Sequence, residues 1–168
     1  MKRKLIGLLL IGVLLLAGCT QVAPAVPYIP PADNTPVNGQ PPVDRTWISP
    51  AKVQIGNFYP GARAEWEISV HNGNDVIAEF AVVYREPDYV APGYTEPPTG
   101  TKNWVIIADS SPVLMPYETR DILIALDVPI TAVITADKWE FWISVKDVTQ
   151  GGTIQTELCS RWLVVMQD

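Results

Sequence analysis

The sequence predicts an all-β fold, a single antiparallel sandwich of seven strands that follows an N-terminal leader and a proline-rich linker. From Trp47 onward, short stretches alternate apolar and polar residues with the two-residue period of a strand. Turn signals such as "YPGA", "NGND" and "QGG" separate these stretches. No span after Trp47 has the length and apolar periodicity of an amphipathic helix. A chain of 168 residues, nearly half of them hydrophobic, can bury one core of this kind.

Seven segments carry the strand pattern. They are residues 52–55, 63–71, 76–85, 104–108, 119–128, 138–148 and 153–166. In residues 138–148, the side chains expected to face inward are Trp139, Phe141, Ile143 and Val145. Seven short alternating strands within about 120 residues indicate a two-sheet sandwich.

The order of these segments resembles bacterial immunoglobulin-like and fibronectin-III-like modules. The stretch "ISPAKVQIGNFYPGARAEWEISVHNGND" is similar to their first two strands, and "DKWEFWISVKD" is similar to their penultimate strand. "MPYETRDILIALDVP" is similar to the strand that carries their second sheet. The resemblance spans residues 47–166 and implies an immunoglobulin-like β-sandwich domain over residues 47–168. The Cys…Trp…Cys signature of antibody-type domains is absent.

The N-terminus carries a basic start followed by a short apolar run. Lys2, Arg3 and Lys4 precede twelve apolar or small residues, 5–16, and this run is too short to span a bilayer comfortably. The pattern is typical of a secretory signal peptide, and an uncleaved anchor or a plain secreted protein are the alternatives. The run ends in Leu16-Ala17-Gly18-Cys19.

These four residues match the lipobox of bacterial prolipoproteins, which this N-terminus resembles. The resemblance implies that residues 1–18 are a lipoprotein signal peptide and that Cys19 becomes the lipid-bearing first residue, with a fatty acid such as palmitate. Two or three acyl chains hold a protein stably on a membrane. The resemblance therefore implies a protein anchored on the extracytoplasmic side of the cell membrane or the outer membrane.

Residues 19–46 lack apolar periodicity and contain seven prolines. Proline fixes φ and removes a backbone donor, so neither a helix nor a sheet propagates through such a segment. We expect a disordered, extended tether, which rises by about 3 Å per residue.

The charge distribution argues against nucleic acid as a partner. Beyond Cys19, nine lysines and arginines face eighteen acidic residues, and no basic cluster occurs outside the first four residues. Such a chain repels phosphate backbones. The sequence therefore predicts no nucleic-acid binding.

No residue pattern predicts catalysis, a metal site or a cofactor. His71 is the only histidine, and we expect it to be exposed at a strand end. One histidine and one unlipidated cysteine cannot form a zinc site. That cysteine, Cys159, is expected on the outer face of the last strand, as a partly buried small side chain or as a thiol that pairs with another chain.

Apolar residues on an expected outer face indicate where a partner could bind. Trp142 alternates with the inward residues of its strand, and we expect the strands over residues 76–85 and 153–166 to lie beside it. The loop over residues 86–102 is rich in tyrosine and proline and could fold over this face. The candidate binding residues are Tyr89, Tyr94, Trp104 and Trp142. The alternative is that the loop simply completes the core.

The sequence thus predicts a lipid-anchored, non-enzymatic module that binds or scaffolds a protein or glycan partner at the cell envelope. The alternative is a carbohydrate-binding accessory module. A hydrolytic form of that alternative would need paired carboxylates near exposed aromatic side chains. Glu140 and Glu157 are the nearest candidates, although their spacing does not select them.

Overall fold

The computed structural model describes residues 43–149 and 157–167, and this part of the chain is all β apart from one 3₁₀ turn, Thr101–Asn103. Nine strands are present in it: β1 (Trp47–Ser49), β2 (Lys52–Phe58), β3 (Arg63–His71), β4 (Ala78–Arg85), β5 (Val105–Ile107), β6 (Val113–Leu114), β7 (Thr119–Asp127), β8 (Lys138–Asp147) and β9 (Glu157–Met166). The predicted all-β class is confirmed. The predicted signal peptide, Cys19, residues 20–42 and the "QGG" turn lie outside the described residues.

The strands form a sheet of four, in the order β1-β3-β7-β5, and a sheet of five, in the order β2-β9-β8-β4-β6. The seven predicted segments correspond to β2, β3, β4, β5, β7, β8 and β9. The count is nine because β1 and β6 also pair, with three and two residues. Strands this short are not visible as a two-residue period in the sequence.

One strand pair departs from the predicted antiparallel arrangement. β2 runs parallel to β9, whereas the other six pairs among the described strands are antiparallel. The chain passes from the four-stranded sheet to the five-stranded sheet between Ser49 and Lys52. Pro50 lies in this crossing and has no N–H with which to continue the β1 ladder.

The core lies between the two sheets. Trp139, Phe141, Ile143 and Val145 of β8 are buried in it, as the alternation predicted. The facing sheet contributes Ile68, Ile122 and Ile124, among others. No helix in the described residues is long and apolar enough to cross a membrane.

The N-terminal end of the described chain packs onto the end of β3. The Nε2 atom of His71 donates to the carbonyl oxygen of Val43 at 2.9 Å, because a carbonyl can only accept. The indole of Trp47 stacks on the His71 ring, with 5.0 Å between the ring centroids. His71 is 3% exposed, so the prediction of an exposed histidine was wrong. Among the described residues, Val43 already contacts the domain, although it lies within the segment assigned to the tether.

Asn72, which follows β3, joins two loops at this end of the molecule. Its side chain is fully buried, and its Nδ2 atom donates to the carbonyl oxygens of Val76, Leu114 and Met115 at 2.8, 3.3 and 2.9 Å. Its Oδ1 atom accepts from the backbone N–H of Asn74. The amide therefore holds the loop after β3 against β6 and the residue that follows it.

We expect Asn72→Asp to lower the free energy of unfolding by about 3 kcal/mol, because a carboxylate of the same shape cannot donate to the three carbonyls. Urea denaturation followed by tryptophan fluorescence measures this. The matched control is Asn103→Asp, at an exposed position in the 3₁₀ turn, which should change stability by less than about 0.5 kcal/mol. Equal effects at the two positions would contradict this role for the Asn72 amide.

Candidate functional site

The outer face of the five-stranded sheet holds most of the predicted binding residues. β8 lies between β4 and β9, so the predicted neighbours of this strand are confirmed. Trp142 is directly opposite Arg85 on β4 and Arg161 on β9. A tryptophan thus lies between two arginines on what alternation identifies as the outer face.

A strap, which we define as residues 86–96, covers this face. The Tyr89 ring meets the Trp142 ring edge-on, with 5.2 Å between the centroids. The backbone N–H of Ala91 donates to Glu140 at 2.7 Å, and that of Thr95 donates to the carbonyl oxygen of Lys138. Trp142 is only 5% exposed, so the apolar face around it is buried beneath the strap.

Glu140 is the centre of a buried polar cluster that we call the Glu140 cluster: Glu140, Trp142, Arg161 and the N–H of Ala91. The carboxylate is 0% exposed and accepts from Arg161 Nε at 2.7 Å, from Arg161 Nη2 at 3.0 Å and from Trp142 Nε1 at 2.6 Å. Burial alone would raise the pKa of Glu140. The bonds from Arg161, Trp142 and Ala91 outweigh burial, and the pKa of Glu140 is lowered.

Glu157, the second candidate carboxylate, is also held in ion pairs. Arg85 Nη1 lies 2.9 Å from it and Lys146 Nζ lies 3.4 Å from it, and the hydroxyl of Ser144 donates to it. Burial opposes the charged form, but Ser144, Arg85 and Lys146 outweigh it, and the pKa of Glu157 is lowered. A general acid needs a raised pKa, so the lowered pKa values do not mark either carboxylate as a general acid.

The other aromatic residues that were predicted to bind a partner lie in different parts of the structure. Tyr89 is 65% exposed, and the guanidinium of Arg161 lies 5.5 Å from its ring centroid. Tyr94 is partly buried, and burial together with the charge of Glu140 raises its pKa. Trp104 precedes β5 at the edge of the four-stranded sheet, where it packs against the core. Cys19, the predicted lipidation site, lies outside the described residues.

Cys159 lies on the outer face of β9, opposite Ser144, and is a free, partly buried cysteine. Burial raises the pKa of its thiol, and the charge of Glu157 raises it further. In residues 43–149 and 157–167, no three His, Cys, Asp or Glu side chains are grouped so that they could hold a metal ion.

We expect Cys159 to react about tenfold more slowly with iodoacetamide at pH 8 than an unstructured cysteine peptide does, since only the thiolate is nucleophilic. The measurement is the rate of alkylation followed by mass spectrometry. The same protein in urea should react at the peptide's rate. A fast reaction of the folded protein would mean that the thiol is not shielded as described.

A second surface feature was not predicted: an open groove beside β3. β1 pairs only with Ser69, Val70 and His71, and residues 63–68 of β3 have β7 on one side and no paired strand on the other within the described chain. The groove along this free edge measures about 610 Å³. Its lining residues are Ser49, Pro50, Glu65, Trp66, Glu67, Ser69, Asp121 and Leu123.

The groove continues as a narrower cleft between β2 and β3, and we call the two together the β3 groove. The cleft is lined by Val53, Gln54, Ile55, Ala64, Glu65, Trp66 and Trp162. Trp66 lines both parts and is partly buried against the core. The indole N–H of Trp162 is buried and has no hydrogen-bond partner in the described structure. The only sequence signal for this site was "SP", which marks where the chain leaves the β3 edge.

Comparison with known structures assigns a fold class to this arrangement. The chain is similar to the ASH/PapD-like domain 7 of human CEP192, with a TM-score of 0.54 and 11% identity over 79% of this chain and 92% of that one. It is also similar to the periplasmic chaperone SfaE, with a TM-score of 0.51 and 12% identity over 74% of this chain and 59% of that one. A third similar structure is the E. coli chaperone DraB, with a TM-score of 0.50 and 12% identity over 73% of this chain and 55% of that one.

At this level of identity the likeness shows the fold alone, a PapD-like and immunoglobulin-like β-sandwich. The chain spans little more than half the length of each of the two chaperones. No protein-family model and no curated protein sequence matches the chain.

Proposed function

We propose that this chain is a lipid-anchored, extracytoplasmic β module that binds a partner protein at the cell envelope and catalyses no reaction itself. The anchor part of the proposal is supported by the basic start, the short apolar run and the Leu16-Ala17-Gly18-Cys19 motif. The three structures named above are PapD-like domains or chaperones, and SfaE is periplasmic. From these we carry over only a non-catalytic, protein-binding role.

The observation that carries the binding role is the β3 groove. It combines a volume of about 610 Å³, a partly buried tryptophan and a strand edge without a paired neighbour in the described chain. An unpaired strand edge is a template for another chain, and proteins normally cover or shorten such edges unless they use them. The predicted patch around Trp142 does not provide a comparable surface, because the strap covers it.

The anchor is tested by mass spectrometry of the full chain expressed in bacteria with labelled palmitate. We expect an N-terminus at Cys19 that carries the label, and a Cys19→Ser variant that carries none. Retention of residues 1–18 on the mature chain would show that the anchor proposal is wrong.

The binding role is tested by crosslinking the full chain in its own membranes and identifying what it captures. We expect one envelope protein to be captured in preference to others. Loss of the same capture when the β3 groove is altered, but not when the exposed strap residue Glu96 is altered, would support the groove as its site. Release of a carbohydrate instead of a protein from the purified chain would favour the glycan alternative.

A further inference from the structure

We propose that the β3 groove takes an extended segment of the partner protein that is rich in lysine or arginine and adds as a strand along residues 63–68. This inference rests on the partner-binding role proposed above and specifies the chemistry and the conformation of the bound segment.

The backbone of the groove favours an extended segment. β3 is nine residues long, and β1 pairs with only the last three of them before the chain crosses to the other sheet. Within the described chain, the position beside residues 63–68 therefore has no paired strand, and it is in line with β1 and has the length of a short strand. Main-chain hydrogen bonds to such an edge supply affinity for any extended chain, and side-chain pockets supply specificity.

The side chains of the groove favour a basic segment. Glu65, Glu67 and Asp121 line it, and no lysine or arginine is among the lining residues of either part. Arg63 partly neutralises Glu65 through an ion pair at 2.7 Å, and Ser69 donates to Asp121. Among the described residues, no ion pair reaches Glu67. Opposite charges across an interface fix both partner choice and register.

Side chains of an added strand alternate between two directions. Because the narrower cleft reaches the gap between the sheets, where Val53, Ile55 and Trp162 are buried, one set of side chains meets an apolar surface there. The other set meets the carboxylates of Glu65 and Glu67. A segment that alternates basic and small apolar residues therefore fits the β3 groove.

The charge and the composition of this chain argue against two other occupants. Residues 20–42 contain no lysine or arginine and seven prolines, so they offer neither the charge nor the run of N–H donors that the edge would bind. A second copy carries an excess of nine acidic residues beyond Cys19 and is repelled. The observations thus favour a different, basic partner.

The test uses the full chain, purified in neutral detergent, and a capped octapeptide of alternating lysine and valine. Hydrogen–deuterium exchange shows where the peptide binds, and fluorescence anisotropy at low ionic strength gives its affinity. We expect slower exchange over residues 63–68 and at least about tenfold tighter binding than for the matched glutamate–valine peptide. An N-methylated version of the lysine peptide, which keeps its charges but loses alternate N–H groups, should bind at least about tenfold more weakly.

The matched variants are Glu65→Lys combined with Glu67→Lys, and Glu96→Lys as the control on the strap. The double variant should lose about tenfold in affinity or more, and the control should bind as the unaltered chain does. Unchanged thermal unfolding of both variants shows that they are folded. No protection over residues 63–68, or equal binding of the N-methylated peptide, would overturn the proposal.

Crosslinking separates this inference from the proposed function. If the double variant still captures the envelope partner, the partner binds elsewhere, and the inference is wrong while the binding role stands. If the peptide binds the groove as expected but the chain captures no protein in its membranes, the binding role is wrong while the chemistry of the groove stands.

Discussion

Replacing Trp142 by serine is expected to lower the free energy of unfolding by about 3 to 5 kcal/mol, the range for removal of a large buried aromatic side chain. The indole is 5% exposed beneath the strap and packs edge-on against Tyr89. Its N–H also donates to Glu140, so the substitution leaves the buried carboxylate with one donor fewer. Urea denaturation of the two proteins gives the difference directly.

The matched control is Tyr89→Ser, which removes the exposed partner of the same ring contact. Because Tyr89 is 65% exposed, its loss should cost no more than about 1 kcal/mol. Limited proteolysis provides a second readout, since Trp142→Ser should make the strap susceptible to cleavage while the rest of the domain stays resistant. If Trp142→Ser were as stable as Tyr89→Ser, the indole would not be buried by the strap.

The second large effect is expected from Glu140→Gln. The neutral amide can no longer form the ion pair with Arg161, whose guanidinium lies against the Tyr89 ring of the strap. Its NH₂ group takes the place of one carboxylate oxygen and so faces the donor of either Trp142 or Ala91. Breaking a buried ion pair costs 3 to 5 kcal/mol when the remaining charge is fully buried. Since Arg161 keeps about a third of its side chain in solvent, we expect about 3 kcal/mol.

Comparing the natural chain with Glu140→Gln also tests how the free energy of unfolding depends on pH. The folded state lowers the pKa of Glu140, so the carboxylate contributes its full stabilisation above its ordinary unfolded pKa. That contribution is lost as the pH falls through the lower pKa of the folded state. The difference in unfolding free energy between the natural chain and Glu140→Gln should therefore be constant near neutral pH and shrink in acid.

The sequence predicted the all-β class and the inward faces of the long strands because these depend on local alternation. Trp139, Phe141 and Ile143 lie in the core as their spacing indicated. Alternation also assigned Trp142 correctly to the opposite face of β8. It could not show whether that face was open, because its cover comes from a segment about fifty residues away in the chain.

The main error of the sequence-based predictions concerned polar side chains that specific partners allow to be buried. His71 was predicted to be exposed, and Glu140 was placed on the outer face with Trp142, because charged and ionisable groups usually lie at the surface. Each is buried through bonds to distant residues: Glu140 to Ala91 and Arg161, and His71 to Val43 and Thr119. The alternation of apolar and polar residues along the sequence does not indicate such partners. They become visible only once the strands are placed beside one another.

The β3 groove was missed for a related reason. A free edge is defined by where a neighbouring strand stops, and here that depends on the crossing of the chain at Pro50. The residues that line the groove are ordinary strand residues. Glu65 and Glu67 look like the solvent-facing half of an alternating strand, and nothing in their own spacing marks them as a potential binding surface.

The strap has a consequence for how this protein can change in evolution. Its residues cover Trp142 and supply the N–H that Glu140 accepts, so the length of the connection between β4 and β5 is tied to the side chains on β8 and β9. A descendant that shortens this connection exposes a tryptophan and leaves a carboxylate short of a donor. Deletions here should therefore be inherited together with smaller, polar residues at positions 140 and 142 and with loss of the arginine at position 161.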